Sequence, residues 1–447
     1  MNGPELNADL VDLLGEGDWP GLFHPRADDS AAFLGRLRYS ATRGTWLEYM
    51  QPGTRQPALD GVVHGMLESG HAVTLFSNGP TEPVMPSMKD GFERIAGRMS
   101  VSAFCVGEHF DAEPTLASVS FSVTGLDEFL AADPLAVAPS WPGKAAVTHE
   151  LGDGTLEVYH VMSGNGISSL SDRLMHPTPA ALTELETLFQ AVRVKHPTEW
   201  FLLRTSVKPV LRLTFASPVS LKAAYHRVSA ICGLLALLVR VPVHPIEVSF
   251  PWGEGHLRRS IQFCPTNVLD NGTVREARRK RDHRLMPVTH ANAQLGTLLK
   301  AWLAEHEEHL VLVSGLQHST GWQTRHDTFG FIVLYVAQLE SIHHVEVGRG
   351  GGKHEYALAK YASPRLLAFM QSLFGVTSLL ELATAVWELR NEISHYGRPK
   401  VRLPKLSWSE RVDIARCLEL VVVARILRKL GLDEATTEAF LDGYAPD

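Results

Sequence analysis

The segment Arg390-Asn391-Glu392-Ile393-Ser394-His395 holds three side-chain types that together could act on a phosphodiester. An imidazole titrates near pH ~6.5 and can give or take a proton. A guanidinium can grip two phosphate oxygens at once, and an amide can orient either group. Arg-x4-His alone is a weak pattern, and the chain also carries it at Arg278/His283 and Arg349/His354. The first of these lies in a charged stretch and the second in a glycine-rich loop. Only Arg390/His395 adds an asparagine and falls near the end of an amphipathic helix.

Helix geometry says where these side chains should point. At about 100° per residue, Leu382, Val386, Leu389 and Ile393 form one narrow stripe that must face a core. Asn391 and His395 are four apart and are expected to stack on nearly the opposite side, with Arg390 between the two faces. Arg390, Asn391 and His395 are therefore expected to gather on a surface free of the domain's own packing, as a candidate site. The bland alternative is a solvent-facing helix with ordinary polar residues.

Other motifs carry less. Gly348-Arg349-Gly350-Gly351-Gly352-Lys353 lacks the GxxxxGK[ST] spacing, precedes His354 and trails a helix, so it reads as an inter-helix loop. His306-Glu307-Glu308-His309 is neither HExxH nor HxxEH, and a solvated acidic helix end accounts for it, so no metal is expected. Arg275 to Arg284 holds six basic and two acidic residues, a local excess of +4. Arg275, Arg278, Arg279, Lys280 and Arg281 are its candidate RNA contacts, since each could displace counterions from phosphate. An exposed charged linker explains them equally well.

The elements around these motifs fall into two groups. Val73/Leu75, Val119/Phe121/Val123 and Val147/His149/Leu151 alternate as strands do, and Gly152-Asp153-Gly154 marks a hairpin turn. Further strands are expected at Trp200–Arg204, Leu211–Phe215 and Ile246–Phe250, with a helix from Leu221 to Val239. After about residue 290 the period becomes helical. Helices are expected around Leu295–His306, at Phe329–Val347, Leu366–Phe374 and Leu379 to about Tyr396, and at Ser409–Leu430. The fold class is α+β and multidomain: a 1–29 extension, a β-rich region over 30–290, and an all-helical domain over 291–447. The Pro- and Gly-containing stretch 132–143 could divide the β-rich part.

Composition supports a folded protein, with 45% hydrophobic and 20% charged residues over 447 positions. A net charge of -7 excludes a uniformly basic nucleic-acid coat. Cys105, Cys232, Cys264 and Cys417 never form a close pair, which suits a reducing cytoplasm and no disulfide framework. The N-terminus lacks a signal-peptide pattern. The apolar run Ala230–Val243 is broken by Arg240 and Pro242 and falls short of the ~20 residues of a span. It is expected to be a buried helix running into a strand, in a soluble cytoplasmic protein without a membrane partner.

RNEISH, flanked by helices, resembles the RNxxxH signature of HEPN domains. Gly107-Glu108-His109-Phe110 after a strand, Phe121-Ser122-Val123 downstream and the closing Leu427-Arg428-Lys429-Leu430-Gly431-Leu432 resemble ApeA-like proteins, HEPN-containing bacterial proteins of anti-phage abortive infection. The resemblance implies a HEPN helical bundle behind an ApeA-like sensor or regulatory region. It implies metal-independent cleavage of RNA, with tRNA a candidate target, no cofactor, a homodimer through the HEPN domain and an unidentified phage trigger. His395 would move protons, Arg390 would hold phosphate, and Asn391 would orient one or the other. Some HEPN toxins carry a Tyr two residues after the His for modification by a partner. Here that position is Gly397, with Tyr396 displaced by one, so that partner is not expected.

Overall fold

The computed structural model describes residues 11–26, 31–52, 60–80, 85–89, 92–124, 126, 129–130, 145–166, 169–170, 179–197, 202–253, 259–279, 288–289, 293–309, 325–395 and 397–446. The front region is a β-barrel with extra strands, and the back region is helical, which is the expected α+β division.

The barrel strands are β1 (Glu16–Pro25), β2 (Phe33–Ser40), β3 (Gly44–Pro52), β4 (Asp60–Leu67) and β5 (Ala72–Pro80). β6 (Met85–Lys89) pairs with β7 (Phe92–Val106), and β7 pairs with both β5 and β3. The order β3-β2-β1-β4-β5-β7 thus closes on itself and leaves these strands no open edge. Alternation turns Phe23, Leu37, Leu47, Val63, Leu75 and Met99 inward, all fully buried. Phe23 fits because Gly35 and Gly65 face it: a Cβ on Gly65 would lie 2.4 Å from its ring.

The sheet continues from β7 through β13 (Arg259–Pro265), β12 (Pro245–Trp252) and β8 (Thr115–Val123) to β11 (Leu202–Ser220), β10 (Gly154–Gly166) and β9 (Val147–Glu150). β9 and β10 form the expected hairpin, paired Leu156 to His149. The two strands expected at Trp200–Arg204 and Leu211–Phe215 are instead one 19-residue strand, β11, which pairs with β10 from Leu202 to Phe215. A long partner thus carries the chain past the gap in the apolar pattern. Strands from both sides of 132–143 join this one sheet; that stretch itself lies outside the described residues.

Helix α1 (Pro179–Lys195) escaped the sequence reading, whereas α2 (Leu221–Val239) has the expected bounds. Ser220 caps α2 through Ala223 N–H, and Arg240 ends it in the left-handed region at φ 58°. α2 is long and apolar enough to cross a membrane, but most of its side chains are buried against β8, β11, β12 and α4 (Leu295–Glu305). Between them, α3 (Asn271–Ala277) is a short surface helix.

The back region holds α5 (Arg325–Glu346), α6 (Lys353–Tyr361), α7 (Pro364–Phe374), α8 (Leu379–Ser394), α9 (Trp408–Lys429) and α10 (Glu434–Tyr444). α6 and α10 were not expected. α6 starts directly behind the glycine run, with Gly352 at φ 71° as its N-cap, so the loop signal hid it. α5 packs on α6, α8 and α9.

Front and back share one continuous apolar core. Trp302 on α4 donates to Ala230 O on α2 at 2.7 Å, and Tyr444 on α10 donates to Leu238 O at 3.3 Å. Arg240, at the end of α2, pairs with Glu419 on α9 at 2.5 Å, with side chains only 11% and 6% exposed.

Candidate active site

α8 is a well-defined platform. Ser378 accepts from Glu381 N–H while the Glu381 carboxylate accepts from the Ser378 N–H, a capping box that fixes the start. Leu382, Val386 and Leu389 are buried, as the stripe requires, and Ile393 is partly buried at its edge.

The motif residues differ from the expected arrangement in one respect. Asn391 is buried, 4% exposed, and does not lie on an open polar face with His395. Two causes combine. Arg390 folds back so that Nη1 donates to Asn391 Oδ1 at 3.0 Å. The helix also stops at Ser394, so His395 has left helical geometry at φ -111°, ψ 112°, and stands exposed. Arg390 and Asn391 thus form a contact pair, and His395 follows the helix as an exposed residue. The helix is two residues shorter than expected, and Tyr396 lies outside the described residues.

Arg390 Nε and Asn391 Nδ2 are shut off from solvent with no hydrogen-bond acceptor among the described residues. Buried N–H groups of this kind typically cost ~1–3 kcal/mol each until an acceptor reaches them. Beside them lies His354, the histidine of a discarded Arg-x4-His. It is the second residue of α6, buried, with Nε2 3.2 Å from Glu340 Oε1 on α5. Burial lowers its pKa below the ordinary imidazole value, the Glu340 carboxylate opposes this, and the Lys353 and Arg390 charges add to the lowering. The sequence could have pointed to His354 only through knowledge that α6 packs on α8.

Glu392, an unspecified position of RNxxxH, has a structural task. Its carboxylate accepts from the N–H groups of Val401 at 3.0 Å, Arg402 at 2.9 Å and Leu403 at 2.9 Å. Lys400 Nζ donates to its carbonyl at 2.5 Å, and Arg402 Nε donates to Glu388 at 2.5 Å. Burial opposes ionisation, but the Leu403, Arg402 and Val401 donors outweigh it and hold the carboxyl below its usual range. The segment after His395 is thereby laid back along α8. From Ile393 to Ser409 it contains Arg398, Lys400, Arg402 and Lys405 and no acidic residue, a basic run the sequence reading overlooked.

The first basic candidate is less available for phosphate. Arg275, Arg278 and Arg279 are exposed on and just after α3, but Arg278 pairs with Asp12 and Arg279 lies 3.5 Å from Glu276. Lys280 and Arg281 lie outside the described residues. At the acidic helix end, Glu305, Glu308 and His309 bring ligand-type atoms within 4.8 Å of one another. Lys429 Nζ stands there, 2.5 Å from Glu305 and 3.5 Å from Glu308, and joins α9 to α4.

The front region also gathers His24, His64 and His109, with the rings of His64 and His109 stacked at 4.7 Å. His109 belongs to the Gly107–Phe110 turn, where Phe110 N–H donates to Thr74 Oγ1 at 2.9 Å, tying the turn to β5. Alternation alone could not reveal that β1, β4 and this turn would meet.

Two family models match the chain. The family model for ApeA N-terminal domain 1 matches residues 18–302, and that for the Apea-like HEPN domain matches residues 349–436. Searches of curated proteins and of solved structures found no match. The first family match spans more than half of the chain and the second encloses α6, α7, α8 and α9. The chain therefore belongs to the ApeA family and ends in an ApeA-like HEPN domain.

Proposed function

We propose that this HEPN-family defence protein is a metal-independent endoribonuclease, with Arg390, Asn391 and His395 as its catalytic residues. The observation that carries the reading is the Arg390–Asn391 pair, with two donors that lack an acceptor among the described residues, five and four residues ahead of the exposed His395 on the same helix end. A phosphate oxygen reaching Arg390 Nε would supply an acceptor that the described residues do not. The guanidinium would stabilise charge building on the phosphate. His395 would take the proton of the 2′-hydroxyl or return one to the leaving oxygen. An internal 2′-hydroxyl as nucleophile leaves a 2′,3′-cyclic phosphate, with the proton passing through the imidazole.

In this reading the protein acts in the bacterial cytoplasm, tRNA is a candidate substrate, and cleavage halts an infected cell. The ApeA-type front region senses a phage trigger and restrains the back region through the shared core. Two HEPN faces meeting about a two-fold axis would supply a second Arg/His set. The test is sequencing of RNA ends from cells expressing the full chain beside a His395→Ala control, with purified protein assayed in EDTA. Discrete ends bearing 2′,3′-cyclic phosphate, absent from the control and unaffected by EDTA, are expected. RNA binding without cleavage at any protein concentration would replace the enzyme with a non-catalytic HEPN module.

A further inference from the structure

We infer that α1 is a docking surface for a second copy of this chain, the two α1 helices pairing antiparallel about a two-fold axis near Leu188. The helix has two unlike sides. On one, Glu186 accepts from Ser169 Oγ at 3.0 Å and from Leu170 N–H at 2.6 Å, Gln190 Nε2 donates to Glu186 Oε1 at 2.5 Å, and the Arg193 guanidinium lies over the Phe189 ring. That side is tied to Ser169 and Leu170 of its own chain. On the other, Leu185, Leu188 and Val192 are 49%, 59% and 42% exposed. At about 100° per residue they fall within about 60° of arc, the kind of stripe an amphipathic helix turns toward a partner.

Charge selects the occupant. Glu184 and Lys195 fall within about 20° of one another along one border of the stripe, toward opposite ends of the helix. Both are exposed, and neither has an ion-pair partner among the described residues. Antiparallel pairing sets Glu184 of each helix beside the partner's Lys195, twice over, and lays Leu185 on the partner's Val192 about a central pair of Leu188 side chains. Parallel pairing would set like charges together at both ends and repel. α1 holds two acidic and two basic residues, so it has no net charge with which to favour a nucleic acid or an anionic lipid surface. The helix lies outside the residues of the HEPN match, so the contact stands whether or not the chain cleaves RNA.

The test gives the full chain one reporter thiol, since Cys105, Cys232, Cys264 and Cys417 are all buried. Under mild oxidation Leu188→Cys should yield a disulfide-linked dimer on a denaturing gel. Val194→Cys, at a position 80% exposed on a side away from the stripe, should stay a single chain on the same gel. Adding Glu184→Lys to Leu188→Cys should slow cross-linking by about 2- to 30-fold, through the loss of two exposed ion pairs. Adding Lys195→Glu as well should restore the rate. Equal cross-linking at positions 188 and 194 overturns the proposal, and so does a charge reversal that the second reversal fails to rescue. A Leu188→Cys chain that never cross-links overturns it too. If that thiol is then shielded from a soluble maleimide only in cell lysate, the stripe belongs to a different protein.

Discussion

Two segments of this chain share the spacing Arg-x4-His, and they end in opposite environments. In Arg349–His354 the arginine is exposed on the glycine-rich loop, while the histidine is buried near Glu340. In Arg390–His395 the arginine is folded onto Asn391, while the histidine stands in solvent past the end of α8. The difference is one of helix position. His354 is the second residue of a helix that packs on three others, so its side chain goes into the bundle. His395 follows the last residue of a helix and is carried outward. Equal spacing thus yields one imidazole suited to support and one suited to exchange protons with a ligand.

The sharpest break in that comparison is activity. His395→Ala should reduce RNA cleavage by ~10²–10⁴-fold, as loss of a general acid or base does. As an exposed side chain it should change stability by about 0.5 kcal/mol or less. Rates on gels and an unfolding curve for the same protein decide both halves. Cleavage that survives His395→Ala but vanishes in EDTA would refute the assignment.

Arginine comes next. Arg390→Ala should be inactive, and Arg390→Lys should recover only in part, since an ammonium cannot reproduce the guanidinium fork. Arg349→Ala should cleave at the wild-type rate. Equal losses at the two arginines, in one kinetic series, would erase the distinction between the segments.

Support should show itself as stability. His354→Gln should destabilise the chain by ~1–3 kcal/mol in denaturant unfolding, because Glu340 and the buried space keep no matched partner. It should also change the response to acid. The folded-state pKa of His354 is lowered relative to its unfolded value near pH ~6.5, so the unfolded chain binds the proton more readily. Its contribution is therefore complete above about pH 6.5 and is lost as the pH falls through that value toward the folded pKa. Glu340 faces this ring from α5, Lys353 precedes it and Arg390 approaches from α8. A wild-type and His354→Gln pair losing stability in parallel below pH ~6.5 would show that this ring is not the source.

The smallest effect is expected at Glu392. Glu392→Gln keeps an acceptor for the Val401–Leu403 N–H groups but removes the charge, so a loss of ~1 kcal/mol is expected, with a moderate rise in KM. A fall in kcat as large as that of His395→Ala would instead move Glu392 into the chemistry.

Much of the fold could be read along the chain because it follows from local periodicity. α2 has the bounds its composition set, the β9–β10 turn falls at Gly152-Asp153-Gly154, and the period changes from strand to helix after the sheet. The stripe of Leu382, Val386 and Leu389 is buried as counted. Closure of the barrel was not legible, because β3 meets β7 across about fifty residues and pairing at that separation leaves no local mark. α6 was hidden by the glycines before it, and α1 by its weak pattern.

At the site, residue types and order along α8 were enough to single out Arg390, Asn391 and His395, because side-chain chemistry and helical spacing are properties of the chain itself. Only the tertiary structure buried Asn391, set Arg390 upon it, and ended the helix one residue before His395. Only packing of α6 and α5 against α8 brought His354 and Glu340 near Arg390, and only the Glu392 carboxylate laid a basic segment alongside. A helical wheel fixes angles about one axis. Which of those angles meets solvent depends on neighbours distant in the chain, whose positions are set by the shared core.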